Sequence, residues 1–277
     1  MNNRMKYRFK PGVSLHFGET LDKDENLLAL TNSKLNHVEI AYVPYYDNNG
    51  WADSVRESLE KTSIKINSVH APFSAEVDIS RLDDNGREFA LQEVGKAIAM
   101  AERLKANIVV VHGSSEPITD NDRIQRIARC KSSLDILYKK AKSSGVKLAV
   151  ELLPRTCLGN TADELQLLLD DVPIEYVGFC LDVNHPKDHK QIPNIVRQLN
   201  ERIITLHISD YDGIDEKHWM PFKGLIEWGA FANALSDIKY DGAFIYEANL
   251  DGNTMDEKLE NLLSNFNTIL SVAEKLL

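Results

Sequence analysis

Thiols are scarce in this chain. Its 277 residues hold three cysteines, Cys130, Cys157 and Cys180, scattered and without CxxC spacing. An odd, dispersed set excludes a disulfide framework and a thiolate zinc cluster, and fits a reducing compartment. Long apolar runs are missing too, and none nears the roughly 20 residues that a membrane span requires. The opening stretch, MNNRMKYRFKPG, has no apolar core of the kind a signal peptide carries. A soluble, cytoplasmic protein with no membrane partner is the expectation. Basic charge is in deficit, 32 Lys and Arg against 42 Asp and Glu, for a formal net charge of -10. Such a surface repels phosphate backbones and disfavours nucleic acid as a partner. There is no Pro/Ser-rich tract, low-complexity stretch or block of one charge to mark a linker. A chain 43% hydrophobic and of this length then reads as one domain spanning 1–277.

What is present is alternation. Eight short β-rich runs recur, at Val13–Phe17, His37–Tyr42, Ile66–His70, Ile108–His112, Lys147–Leu152, Tyr176–Asp182, Ile203–Ser209 and Ala243–Ala248. Between them lie stretches with apolar residues three and four apart, at Phe89–Leu104, Ile124–Lys142, Thr161–Leu169 and Met255–Leu277. Asn160 to Glu164 (NTADE) reads as a capped helix start, and Gly145 as a helix C-terminal signal. Parallel strands joined by covering helices account for this order. No glycine-rich nucleotide loop follows the first run, so a doubly wound open sheet is disfavoured. The expected fold is α/β, a single-domain (β/α)8 TIM barrel.

The chemistry gathers at the C-terminal ends of the runs. The third ends in His70, the fourth in His112, the fifth in Glu151 and the sixth in Asp182, with His185 three residues on. The seventh carries His207 and Asp210, the eighth ends in Glu247, and His218 follows the seventh. In a parallel barrel these ends open on one face, where active sites are built. One histidine at a strand end is more often a packed ring than a ligand, and one glutamate there is usually solvated or paired; Glu39, in the second run, stays in that ambiguous class. Repetition over six strands argues instead for a metal site of carboxylate oxygens and imidazole nitrogens, suited to Mn, Co, Mg, Fe or Zn.

Several motifs carry a resemblance: HAPF at 70–73, HGS at 112–114, ELLPR at 151–155, LDVNH at 181–185, LHISD at 206–210, and HWMPFKGLIEW from His218 to Trp228. With these the chain resembles the xylose isomerase-like barrels over nearly its whole length. That family includes sugar and sugar-phosphate isomerases and epimerases, inosose dehydratases and endonuclease IV-type enzymes. The last motif is similar to the family pattern H-x-x-P-x-x-G-x-I-x-W. The resemblance implies one divalent ion on Glu151, Asp182, His207 and Glu247. It implies Glu151 and Glu247 as catalytic carboxylates on opposite faces of a substrate, with His185 holding a substrate oxygen. His70, His112, Arg155, Trp219 and His218 are the further substrate-binding candidates. For assembly it implies a homodimer or a tetramer.

Two mechanisms follow. In the first, an isomerase or epimerase acts on a small carbohydrate or polyol by moving a proton at a carbon beside a metal-polarised carbonyl; a dehydratase of the inosose or dehydroshikimate type would use the same site. Arg155 matches the E-x-x-x-R pattern of ketohexose epimerases. Cys157 stands where they have a second glutamate, however, and Gly213 where they have an arginine. In the second, an endonuclease IV-type phosphodiesterase binds up to three Zn through His70, His112, Glu151, Asp182, His185, His207, His218 and Glu247. There Glu216 replaces an aspartate, and the acidic balance opposes DNA. A non-catalytic module is the weakest reading, since all four core ligands remain. Trp228 reads as core packing, and Trp219 as either a sugar-facing wall or packing. The aromatic loop Tyr42–Trp51 is a candidate for shaping specificity. No glycine-rich phosphate cradle follows the last two runs, which tilts the substrate towards an unphosphorylated one.

Overall fold

The computed structural model describes residues 7–15, 21, 23–44 and 50–276. Along them strands and helices alternate: β1 (Lys10–Leu15), α1 (Asp24–Asn32), β2 (His37–Ala41), α2 (Trp51–Leu59), β3 (Lys65–His70), α3 (Asp84–Leu104), β4 (Ile108–Val111), α4 (Asp120–Ser143), β5 (Lys147–Glu151), α5 (Ala162–Leu168), β6 (Val177–Asp182), α6 (Ile192–Leu199), β7 (Ile203–Ile208), α7 (Trp228–Asp237), β8 (Ala243–Tyr246) and α8 (Met255–Lys275). The strands follow one another in chain order around a closed parallel barrel. This is the (β/α)8 architecture that the alternation predicts.

The strands form where β-branched residues can be buried on both faces. β4 is the run IVVV, buried throughout, as parallel strands under helices require. The helices begin where the sequence supplies caps. The side chains of Asp83, Thr119, Thr161 and Thr254 each accept from a backbone N–H in the first turn of α3, α4, α5 and α8. Gly145 follows the Ser144 cap of α4 at φ +70, the left-handed conformation that ends a helix cheaply only at glycine.

Among the boundaries that differ from the sequence reading is the start of the first strand. β1 starts at Lys10, ahead of the expected Val13, and takes in the turn-like pair Pro11–Gly12. Pro11 has no N–H to donate, but its carbonyl accepts from Asn36 N–H at 3.1 Å. Glycine is required because a Cβ on Gly12 would stand 2.6 Å from Ile245 Cδ1 and 2.7 Å from His37 Cβ. Positions 16 and 17 of the expected first run lie outside the described residues. So do 45–49 of the loop expected at Tyr42–Trp51, and Trp51 itself opens α2.

Contacts divide the chain into two compact units. One comprises 1–39, 57–65 and 181–277. Its core is aromatic: Phe9 stacks on Phe244 at 5.3 Å between centroids, and Phe266, Phe231 and Trp228 close around them. Within it β8 pairs with β1 and β7, with Gly12 opposite Ile245 and His207 opposite that same Ile245. The other unit comprises 40–56 and 66–180. There β3, β4, β5 and β6 pair in succession, with Glu151 opposite Cys180. Its core is aliphatic, filled by Val109, Val110, Ile98, Leu134, Leu148 and Val150. Each such side chain, taken out of water, contributes roughly 1.5–3 kcal/mol.

Candidate active site

The strand-end residues form two groups, one in each unit. In the unit built on 66–180, Glu151 is the last residue of β5 and 1% exposed. Both neighbouring imidazoles face one of its oxygens. His70 Nε2 lies 3.3 Å from Glu151 Oε2, and His112 Nε2 lies 3.1 Å from the same atom. His70 Nδ1–H donates to the carbonyl of Ala71 at 2.8 Å, so in the neutral ring the nitrogen turned to Glu151 carries a lone pair. Ligand atoms of His70, His112 and Glu151 all lie within 4.8 Å of one another. Over this group sits Phe73, stacked on the His112 ring at 4.0 Å between centroids and still 42% exposed.

The loop after β5 is fixed from α4. Arg123 spreads its guanidinium over Glu164 at 2.7 and 2.8 Å and over the carbonyls of Thr156 and Cys157, each at 2.9 Å. Cys157 is buried beneath that clamp. Arg155 leaves the loop at φ +48 and is exposed, with its guanidinium on Glu116 at 2.6 and 2.7 Å. Its family-matched position thus ends in a surface ion pair, whose worth is modest.

In the other unit Asp182, His207 and Glu247 are buried, and their ligand atoms again lie within 4.8 Å of one another. His207 Nδ1 is 3.0 Å from Glu247 Oε2. Asp182 Oδ1 accepts from Asn184 N–H at 2.7 Å, while Oδ2 lies 3.4 Å from His185 Nε2. His185 and His218 then share Glu216, at 3.6 and 3.8 Å, with their rings edge to face. Burial works against a charged His218. The Glu216 carboxylate, then the charges of Asp182 and Glu247 and the Glu247 carbonyl, outweigh it and raise its pKa above the usual histidine value.

The sequence alone leaves Glu39 ambiguous. It is wholly buried, and the Nε2 of His207 lies 3.0 Å from its Oε1. A charged residue flanked by the buried Val38 and Ile40 in a short strand is the one signal that marked it.

A family model described as a xylose isomerase-like TIM barrel matches residues 29–273. The chain belongs to that family. An uncharacterized protein of Methanocaldococcus jannaschii is 27% identical to this barrel over 185 residues, 65% of this chain and 63% of that protein. The D-psicose 3-epimerase of Enterocloster bolteae is 28% identical over 131 residues, 46% of this chain and 42% of the enzyme. The matched stretches thus span less than two thirds of either relative. The crystal structure of a D-tagatose 3-epimerase-like protein shares the fold, with a TM-score of 0.83, 23% identity, and coverage of 96% of this chain and 99% of that one.

The motif from His218 to Trp228 has a plain physical basis in this xylose isomerase-like barrel. It wraps around Asp210, which is wholly buried. Asp210 Oδ1 accepts from Tyr211 and Ile226 N–H, and Oδ2 from Phe222 N–H and Trp228 Nε1–H. Asp210, one of the strand-end acids, therefore anchors the loop. A Cβ on Gly224 would stand 2.2 Å from the Tyr211 carbonyl and 2.3 Å from Asp210 Oδ1, so the motif's glycine is obligatory. Trp228 is core packing, as the sequence suggested. Trp219 is half-buried, and its backbone bridges to Asp210. Gly213 sits at φ +77, a conformation that an arginine at this position would adopt only with strain. Among the described residues no helix is long and apolar enough to cross a membrane.

Proposed function

We propose that this protein is a divalent-metal-dependent sugar epimerase or isomerase. Its metal ligands are Glu151, Asp182, His207 and Glu247, and its substrate is a small, unphosphorylated ketose or polyol derivative. The observation that carries the reading is donor chemistry: ligand atoms of the buried Asp182, His207 and Glu247 lie within 4.8 Å of one another, and Glu151, buried at the end of β5, supplies a further carboxylate. Three carboxylates and an imidazole suit a hard or borderline dication. The spacing fits as well. Two ligand atoms each about 2.1 Å from one ion, at a right angle, stand about 3.0 Å apart, which is the separation of His207 Nδ1 and Glu247 Oε2. The D-psicose 3-epimerase among the relatives supports the same class of reaction.

A divalent ion held there supplies polarisation of a carbonyl oxygen and a more acidic neighbouring C–H. Glu151, which ends β5, and Glu247, which follows β8, are the carboxylates that take the proton from one face and return it to the other. His185 and His218 hold substrate oxygens, and Glu216 keeps both rings oriented. Phe73 and Trp219 offer apolar surface to the sugar's C–H groups.

The test is solvent exchange. Ketopentoses and ketohexoses incubated with the cobalt- or manganese-loaded protein in D2O are expected to take up deuterium at the carbon beside the carbonyl, and EDTA, Glu151→Gln and Glu247→Gln are each expected to abolish uptake. No uptake on any ketose of the panel, or uptake indifferent to EDTA, would overturn the reading.

One observation favours a second reading. His70 and His112 form a ligand group with Glu151, and His185 and His218 converge on Glu216, so the donor set extends beyond one ion. A phosphodiesterase of the endonuclease IV type with up to three Zn uses such a set. The net charge of -10 opposes a nucleic-acid substrate. Two to three equivalents of zinc in protein purified without chelator, with cleavage of abasic-site DNA, would reverse the ranking.

A further inference from the structure

Glu39 lies outside the four-ligand set, yet it is as buried as any group in the protein. A carboxylate taken fully out of water costs several kcal/mol unless its partners restore what water gave. Its partners are specific. Ser14, on β1, donates its hydroxyl to Oε1 at 2.9 Å. His207, on β7, presents Nε2 to both oxygens, 3.0 Å from Oε1 and 3.2 Å from Oε2. The other nitrogen of that ring is the one turned to Glu247. The four side chains thus form a chain running Ser14, Glu39, His207, Glu247.

A neutral imidazole has one N–H and one lone pair. If the proton sat on Nδ1 it would point at Glu247, and the ring could not ligate from that side. With the proton on Nε2, Glu39 accepts it, and Nδ1 is left with its lone pair on the Glu247 side. The two carboxylates therefore compete for one proton, and the tautomer depends on which wins. Ser14 fixes the Glu39 carboxylate in place for the Nε2 side.

We propose that Glu39 is the positioning residue of the metal centre: it accepts the Nε2 proton of His207 and so holds the ring in the tautomer and orientation that present Nδ1 to the ion. The inference rests on the metal reading above. It adds a residue that touches neither ion nor substrate and acts through His207. Such outer partners of ligating histidines set ring orientation and raise ligand basicity, and losing one costs about 10–100-fold in metal affinity.

The experiment uses the full chain, stripped of metal and titrated with Co2+. Calorimetry gives the affinity, the visible absorption of bound cobalt gives the coordination, and 15N shifts of the His207 ring in the metal-free protein give the tautomer. Glu39→Ala is expected to weaken Co2+ binding 10–100-fold, alter the cobalt spectrum and move the ring proton towards Nδ1. Glu39→Gln keeps an oxygen acceptor at the same place and is expected to recover most of the affinity and the wild-type tautomer. If Glu39→Ala does not fold, Glu39→Gln decides alone: the expected residual loss of affinity, about threefold or more, comes with a changed cobalt spectrum. Wild-type affinity, spectrum and tautomer in every folded variant would sink the role of Glu39 and leave the four-ligand site standing. A wild-type protein that takes up no Co2+ would overturn the metal reading and this inference with it.

Discussion

Asp210 offers the sharpest test of how the loop bearing His218 is held. Its two oxygens take four donors, the buried Tyr211 N–H at 3.0 Å, Ile226 N–H at 3.2 Å and Trp228 Nε1–H at 2.9 Å, and the half-buried Phe222 N–H at 3.0 Å. Asp210→Asn is nearly isosteric, but an amide has one oxygen. Whichever way it is turned, its NH2 faces two of the four donors, and both are left without their acceptor. Each such loss costs about 1–3 kcal/mol, so the substitution should destabilise by about 2–6 kcal/mol. At about 2–4 °C per kcal/mol for a chain of this size or slightly smaller, that is a fall in Tm of about 4–24 °C. A double-mutant cycle with Trp228→Phe isolates the indole bond. Removing the indole N–H beforehand removes one of the donors stranded by the asparagine, so Asp210→Asn should cost about 1–3 kcal/mol less in that background. Denaturant unfolding of the four proteins measures both quantities. A cost below about 0.5 kcal/mol for Asp210→Asn, or strict additivity in the cycle, would refute the account of the loop as wrapped on this carboxylate.

Two further outcomes are expected. Phe73→Ala removes a ring stacked on His112 that is half open to solvent, so kcat/KM on an accepted ketose should fall by about 2–12-fold, the equivalent of about 0.5–1.5 kcal/mol, with Tm little changed; a large drop in Tm with kcat/KM intact would make the ring structural instead. His37 is held down to about 4 by burial and then by Lys65, and its Nδ1 is buried with no hydrogen-bond partner among the described residues. A base with a depressed folded-state pKa contributes stability that is present above its unfolded value near 6.5 and lost as pH falls towards 4, here on the order of 2 kcal/mol after allowance for partial exposure; His37→Gln should flatten that part of the stability–pH curve, and an unchanged slope would refute the assignment.

How far the sequence could be read depended on how local each role was. His70, Glu151 and Asp182 end their strands, and His112 and Glu247 directly follow theirs, so strand periodicity alone brought them to one end of the barrel. Asp210 shares that position, and nothing in its neighbourhood separates an anchor from a ligand; the difference is made by donors 12 to 18 residues further on. Arg155 matches its motif by spacing, but the positive φ of its backbone and a carboxylate 39 residues away send it to the surface. The start of β1 was misplaced for a similar reason. Pro11 and Gly12 look like a turn until the closeness of Ile245 and His37 makes glycine the residue that fits.

Glu39 is the extreme case, because its partner His207 lies 168 positions away and no local pattern joins them. The physical argument for reading it as functional is one of cost. An interior lined with Glu39, Asp182, His207 and Glu247 is less stable, residue for residue, than one packed with aliphatic side chains, since removing a complete buried ion pair in favour of apolar groups is often neutral or stabilising. The same unit contains a core in which Phe9, Phe244 and Phe266 pack ring on ring, so the chain is able to build an apolar interior and departs from it around these four residues. A barrel retained merely as a scaffold has no use for that departure. On the proposed metal reading the acids and imidazoles become favourable together when a cation and a polar ligand are brought into the accounting, and it is at that point that a histidine tautomer, and the carboxylate that selects it, begins to matter.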